Sequence, residues 1–162
     1  MILAMTVSVL LVSLTILVHY EVLRLISGIL PHLSPIPPRP RIVFVLFAVF
    51  AAHTVEVYLY TAGYWLLTVF DPAGTGAMVT HIDGRPSQDF VDLVYFSTIT
   101  FTTIGFGDMI PKGAVRLVSG VEGLNGLLLI GWSASFTYLC MEKLWPVHAE
   151  RRHSRRARRT AD

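Results

Sequence analysis

Residues 102–108, Thr-Thr-Ile-Gly-Phe-Gly-Asp, place two glycines at alternate positions between a short amphipathic run and a long apolar one. Because Gly105 and Gly107 have no Cβ, both can adopt positive φ without a steric penalty. A backbone that alternates between ordinary and left-handed conformations can aim consecutive carbonyl oxygens at one axis. The two glycines therefore suit a loop lined by backbone oxygens; in such a loop Ile104 and Phe106 would point away from the axis and wedge against the preceding helix.

A Gly-x-Gly string by itself also occurs in turns and in nucleotide-binding loops. A phosphate-binding loop, however, follows a soluble strand and opens a helix. Both flanks of residues 102–108 are instead apolar segments of the length expected in a membrane. The flanks favour an oxygen-lined loop inside a membrane protein, and a plain turn between two spans stays the alternative.

The composition indicates an integral membrane protein. Of the 162 residues, 53% are hydrophobic, against roughly 45–50% in ordinary soluble domains, and the mean hydropathy is +0.59. The single cysteine, Cys140, excludes an internal disulfide and lies in an apolar run. We expect it to pack between helices without a redox role.

Three stretches are long enough to cross a bilayer as helices, which takes about 20 residues. They are an N-terminal helix in residues 1–30, an outer helix in residues 42–70 and an inner helix in residues 113–145. The first has neither the basic start nor the cleavage site of a signal peptide, so we predict that it is retained. Five prolines in residues 31–41 predict a stiff extended linker. A ligand for an aromatic-lined groove is the alternative.

A shorter helix is predicted immediately before the glycine-containing loop. Residues 71–89 carry Asp-Pro, Gly-Thr-Gly and Asp-Gly, which are turn sequences. Ser87 or Asp89 can cap a helix over residues 89–101, and Asp92 is favourable near its positive N-terminal end. The C-terminal end of this helix carries a partial negative charge, which would favour a cation in the following loop.

The loop and its flanks resemble the selectivity filter of potassium channels, and with phenylalanine at position 106 they are most similar to the second pore of two-pore-domain potassium channels. The resemblance covers residues 42–145, makes residues 89–101 a re-entrant pore helix and makes residues 102–108 the filter segment. It implies that backbone oxygens replace the hydration shell of K⁺. The implied K⁺ ligands are Thr103, Ile104, Gly105, Phe106 and Gly107, and the implied filter supports are Thr102, Asp108, Tyr95 and Phe96.

Two departures from the family pattern affect this support. Ile99 stands where some members carry a carboxyl that pairs with the aspartate behind the filter, and Phe106 lacks a tyrosine hydroxyl. We expect Tyr95 to hydrogen-bond Asp108, but the filter lacks these two other braces.

The predicted fold is an all-α membrane protein with three transmembrane helices, a re-entrant pore helix and a filter loop. Because one chain supplies one filter and a ring needs four, we expect a homotetramer. The predicted function is passive, potassium-selective conduction without an enzymatic reaction, with permeant K⁺ as the only cofactor and no organic one. The alternatives are a non-conducting structural or regulatory subunit, and a membrane metal-site protein that uses His53, Glu56 and Glu122.

Several polar residues within the spans are candidates for gating. His53 and Glu56 lie one turn apart, and ionisable groups within a membrane are commonly functional. Alternatively, the pair hydrogen-bonds between helices, or Glu56 is protonated in a dry site; spacing alone supplies no third metal ligand. Together with Glu122 and the outer His81, these two residues motivate a hypothesis of proton gating.

The inner helix contributes further candidates. Glu122 and Asn125 share a face and are expected to pair behind the filter. By the resemblance, Gly126 lies near the hinge of the inner helix, although small residues also permit close helix packing. The residues expected to line an inner cavity are Gly131, Ser135 and Leu139.

Charge predicts the orientation. The tail in residues 146–162 contains six arginines, which suggest either contact with anionic lipid or an orientation signal only; the lipid-contact candidates are Arg151, Arg152, Arg155 and Arg156. No folded module accompanies them, so nucleic-acid binding is not expected. With the tail and the 31–41 linker inside, ten of the 13 Lys and Arg residues are cytoplasmic. This predicts an inner bacterial or plasma membrane protein with its N-terminus outside and its C-terminus in the cytoplasm.

Overall fold

The computed structural model describes residues 2–70, 78–87 and 89–144. In this part of the chain the order of elements is helix, helix, two strands, helix, strand, helix. The helices are α1 (Ile2–Ile29), α2 (Pro38–Val69), α3 (Phe90–Phe101) and α4 (Val115–Leu144), and the strands are β1 (Val79–His81), β2 (Pro86–Ser87) and β3 (Met109–Pro111).

Three of the helices can cross a membrane. The most apolar 18-residue windows of α1, α2 and α4 have mean hydropathies of 2.3, 2.1 and 1.3. Many of their large apolar side chains are exposed in the single chain, among them Phe47 at 69% and Phe50 at 70%. Such surfaces are stable only in lipid or against other chains, so the predicted helical membrane architecture is confirmed.

The segment between α1 and α2 differs from the prediction. Residues 30–36 form consecutive hydrogen-bonded turns, and α2 begins at Pro38 rather than at residue 42. Prolines are tolerated there because the first backbone N–H groups of a helix have no intrahelical acceptor. The Arg41 guanidinium donates to the carbonyls of Ser34 and Ile36 at 2.8 and 2.7 Å. The prediction of an extended linker is therefore wrong.

The start of α3 follows from its sequence. The Asp89 carboxylate accepts a hydrogen bond from the backbone N–H of Val91 at 3.3 Å and so caps the helix. The Ser87 hydroxyl donates instead to Asp92 at 2.7 Å. Of the two candidate caps, the structure uses Asp89.

A small antiparallel sheet with the strand order β2-β1-β3 joins the outer loop to the segment after the filter. Val79 pairs with Ser87 on one side and with Pro111 on the other. The hairpin also contacts the filter segment, because the backbone N–H of Ile82 donates to the Asp108 carbonyl at 2.8 Å. The sequence did not predict this sheet, since strands of two or three residues carry no measurable alternation.

The main core lies where α2 packs against α1, α3 and α4. Tyr60 and Tyr64 of α2 are fully buried there, and Phe101 at the end of α3 is 1% exposed. The rings of Tyr64 and Phe96 meet edge to face with centroids 5.3 Å apart. Helix α1 is thus part of the same packed unit as the segment that resembles a channel pore.

Candidate functional site

The filter segment alternates in backbone conformation. Thr103, Gly105 and Gly107 have φ of 60°, 54° and 82°, while the residues between them have negative φ. No atom lies within 4 Å of a Cβ added at Gly105 or Gly107, so these glycines serve the backbone angle rather than close packing. Thr103 was not expected to adopt this conformation, which costs a residue with a Cβ about 1–2 kcal/mol.

Hydrogen bonds attach the start of the filter segment to the end of α3. The backbone N–H of Thr103 donates to the Thr100 carbonyl at 3.0 Å, and that of Gly105 donates to the Ile99 carbonyl at 3.1 Å. The Thr102 hydroxyl donates to the Thr98 carbonyl at 2.7 Å. The negative end of the α3 dipole therefore lies directly beside the filter backbone.

The far end of the filter segment is held by a side chain of α3. The Tyr95 hydroxyl donates to the Asp108 carboxylate at 2.8 Å, as expected from the sequence. This bond raises the pKa of Tyr95 because the hydroxyl proton is held by a carboxylate. Phe96 is buried against Tyr64, so the two aromatic candidates act in different places, Tyr95 on the filter and Phe96 in the core.

The side chains of Ile104 and Phe106 are exposed in the single chain, by 56% and 69%. The wedge that we expected between them and the preceding helix is not made within one chain. An open cavity of about 470 Å³ lies along the filter segment, and its lining includes Ile99, Thr103 and Leu124. The backbone of the filter segment is thus held by hydrogen bonds, whereas the side chains of Ile104 and Phe106 stay exposed within one chain.

Behind the filter, Glu122 of α4 is fully buried between α2 and α3. The Tyr64 hydroxyl donates to one of its carboxylate oxygens, and the Ser97 hydroxyl donates to the other at 2.5 Å. Ser97 Oγ also lies 3.0 Å from the Val57 carbonyl oxygen. This carboxyl joins the outer helix, the pore helix and the inner helix.

The predicted pairing of Glu122 with Asn125 is wrong. The Asn125 amide donates to Thr15 Oγ1 at 2.8 Å and to the Tyr60 hydroxyl at 3.1 Å. Its carbonyl oxygen is buried and accepts no hydrogen bond from the residues that the structure describes. The two side chains separate because each has better-placed partners on other helices, which helical spacing on α4 alone does not show.

Gly126 is in direct contact with the end of α3. A Cβ at this position would lie 2.1 Å from the Phe101 carbonyl oxygen, so only glycine fits. Close packing therefore accounts for this glycine, and a hinge at Gly126 stays a prediction.

The three residues expected to line an inner cavity are all exposed in the single chain: Gly131, Ser135 and Leu139.

His53 and Glu56 do pair, and a third residue joins them. His53 Nδ1 lies 2.8 Å from one Glu56 oxygen, and His19 Nδ1 of α1 lies 2.8 Å from the other. Glu122 is not part of this cluster. The sequence analysis missed His19 because 37 residues separate it from Glu56; the available signal was a histidine in an otherwise apolar span.

At the end of β1, His81 Nε2 lies 3.1 Å from the Asp92 carboxylate. The hydrogen bond from the Ser87 hydroxyl is the main reason that the pKa of Asp92 is lowered, and His81 lowers it further. The lipid-contact candidates Arg151, Arg152, Arg155 and Arg156 lie outside the described residues, as do residues 71–77 of the 71–89 turn region.

Comparison with known proteins agrees with this geometry. A family model described as "Ion channel" matches residues 42–143. Over 51 residues the chain is 37% identical to Two-pore potassium channel 1 of Arabidopsis thaliana. That alignment covers 31% of this chain and 14% of the plant protein. No solved structure matches the chain.

The family match begins and ends within two residues of the region that the resemblance covered, and it leaves α1 outside. It includes the outer helix, the pore helix, the filter segment and the inner helix. The chain is an integral membrane protein and belongs to the family of two-transmembrane, pore-loop ion channels.

Proposed function

We propose that the protein is a potassium-selective channel that conducts passively through a ring of four filter segments. The observation that carries this proposal is the alternation of positive φ at Thr103, Gly105 and Gly107, directly after the C-terminal end of α3. Rings of carbonyl oxygens in such a backbone can replace the hydration shell that K⁺ loses when it enters the filter. The similarity to the plant protein Two-pore potassium channel 1 supports the choice of ion.

Assembly as a homotetramer follows from the same site. One chain leaves Ile104 and Phe106 exposed beside an open cavity, and α4 exposes Leu124 and Leu128 by 64% and 63%. Neighbouring copies around a fourfold axis would cover these surfaces and brace the middle of each filter segment. Native mass spectrometry should then give four times the 18.0 kDa of one chain.

The orientation that we propose places the hairpin and the Asp92 region outside the cell, and the C-terminus in the cytoplasm. The arginine-rich tail in residues 146–162 is the basis, because cytoplasmic flanks of membrane spans are rich in Lys and Arg. An Ile82→Cys variant in a Cys140→Ala background should react with an impermeant thiol reagent in intact cells. Ile82 is suitable because it is 73% exposed at the hairpin.

Ion flux through purified protein in liposomes tests the proposed function. We expect potassium flux that Ba²⁺ blocks and that Gly105→Ala abolishes, because alanine disfavours the φ of 54° at this position. Gly84→Ala is the matched control: Gly84 also has positive φ, of 87°, and open space around it, but lies in the outer hairpin. Absence of flux from the folded assembly would instead support a non-conducting subunit.

A further inference from the structure

A cluster of three metal-ligating side chains lies outside the ion-conducting site. His19 of α1 and His53 and Glu56 of α2 each offer one ligand atom, and these atoms all lie within 4.8 Å of one another. His19 and Glu56 are fully buried. We propose that these three residues bind one divalent transition-metal ion per chain, with Zn²⁺ as the best-suited ion.

The geometry needs little adjustment to hold such an ion. Both Nδ1 atoms now lie 2.8 Å from a different oxygen of the same carboxylate. Zinc binds imidazole nitrogen at about 2.0–2.1 Å and carboxylate oxygen at about 2.0–2.2 Å. Tetrahedral ligands at those distances are roughly 3.4 Å apart, so each Nδ1 would move slightly away from the carboxylate oxygen that it now contacts.

Ser133 of α4 supplies the outer shell that such ligands require. Its hydroxyl oxygen lies 3.2 Å from Nε2 of His19 and 3.1 Å from Nε2 of His53. A hydroxyl oxygen has two lone pairs and can accept from both Nε2–H groups. In that arrangement both Nδ1 lone pairs face Glu56, as in metal sites where the second ring nitrogen of each histidine is hydrogen-bonded.

The ligand set also selects the class of ion. Two imidazoles and one carboxylate favour zinc and its neighbours in the transition series over Mg²⁺ and Ca²⁺, which prefer all-oxygen sites. Aromatic rings close the site: Trp132 lies 5.4 Å from His19 and Phe101 lies 5.7 Å from His53, between ring centroids. Because His19 and Glu56 are fully buried, we expect a bound ion to exchange slowly.

A bound ion would join α1 to the pore domain. His19 lies outside the region matched by the family model, whereas the other two ligands lie inside it. Phe101, which touches the His53 ring, is the last residue of α3. The proposed metal site is separate from the proposed conduction. A protein that binds no zinc at these residues would leave the conduction proposal unchanged.

The test measures metal content and coordination in the untagged full-length protein. After chelation and reloading with Zn²⁺, elemental analysis should find one ion per chain. His19→Ala, His53→Ala and Glu56→Gln should each lower retained zinc at least tenfold, and Ser133→Ala should weaken binding by about 10–100-fold. His81→Ala is the matched control, since His81 also contacts a carboxylate, but without a second histidine.

X-ray absorption spectroscopy of the zinc-loaded wild type identifies the ligands directly. This measurement does not depend on whether the variants fold. We expect a first shell of two nitrogen ligands with imidazole scattering and at least one oxygen. Absence of retained zinc in the wild type, unchanged zinc in His19→Ala, or loss of zinc in His81→Ala would overturn the proposal.

Discussion

Gly126 of α4 lies so close to Phe101 that a Cβ at position 126 would be 2.1 Å from the Phe101 carbonyl oxygen. That oxygen belongs to the last turn of α3, from which the filter segment continues. The inner helix and the base of the filter are therefore in direct backbone contact. Any rotation of α4 at this level acts on the filter without an intervening side chain.

Gly126→Ala should destabilise the protein and disturb the filter, because the obstructing atom is backbone and cannot rotate away. Overpacking of this kind costs about 1–3 kcal/mol or more. We expect a clear fall in the thermal unfolding temperature of the detergent-solubilised protein. Gly131→Ala is the control, since nothing lies within 4 Å of its added Cβ; equal behaviour of the two variants would contradict the packing described here.

Tyr64→Phe should also destabilise the protein, because it removes a hydrogen-bond donor from the buried Glu122 carboxyl. Leaving a buried acceptor with one donor fewer costs about 1–3 kcal/mol. Thermal unfolding measures this, with Tyr58→Phe as the control because Tyr58 is 48% exposed. If both variants unfold at the wild-type temperature, the Glu122 contacts do not contribute as argued.

The predictability of these features depends on how local their signals are. The filter segment was predicted from seven adjacent residues, and the three spans were predicted from the length of their apolar runs. Both signals can be read directly from the sequence. The partners of Glu122 and Asn125 lie on other helices, and no spacing rule selects Tyr64, Ser97 or Thr15. His19 was missed for the same reason.

Other differences arise from short-range geometry that the residue types do not specify. Prolines suggested an extended linker, but a helix accepts them in its first turn, as at Pro38. Thr103 takes a positive φ that its side chain disfavours, because hydrogen bonds at the end of α3 and the glycines that follow impose it. Such strain is visible only in the folded chain.

The junction of the hairpin with α3 should weaken in acid. The pKa of Asp92 is lowered, mainly by the Ser87 hydroxyl. Its contribution to stability is therefore present above the unfolded-state pKa of about 3.9 and is lost as the pH falls through the lower folded-state value. The unfolding temperature of Asp92→Asn should depend less on pH below about 4 than that of the wild type.

A steeper or identical acid dependence in Asp92→Asn would contradict that assignment. Asp83→Asn is an instructive comparison, because the pKa of Asp83 is also lowered, by the backbone and side chain of Arg85, but among the described residues Asp83 hydrogen-bonds Arg85 rather than a residue of α3. We expect it to alter the acid dependence without changing the filter.

Phe106→Ala should reduce the preference for K⁺ over Na⁺ while leaving the fold of the single chain intact. Phe106 is 69% exposed within one chain, so in the proposed tetramer its support would come from neighbouring copies. Cation competition in liposome flux measures the loss, and Ile82→Ala, at a 73% exposed hairpin position, is the control. Unchanged selectivity would show that the middle of the filter needs no side-chain brace at this position.

The central claim is tested most directly by the reversal potential of single-channel currents in planar bilayers, with potassium on one side and sodium on the other. A tetramer of carbonyl-lined filter segments predicts reversal close to the potassium equilibrium potential, and no current from Gly105→Ala. A reversal potential near zero, or persistent current in Gly105→Ala, would contradict potassium selection by the Thr103–Gly107 backbone.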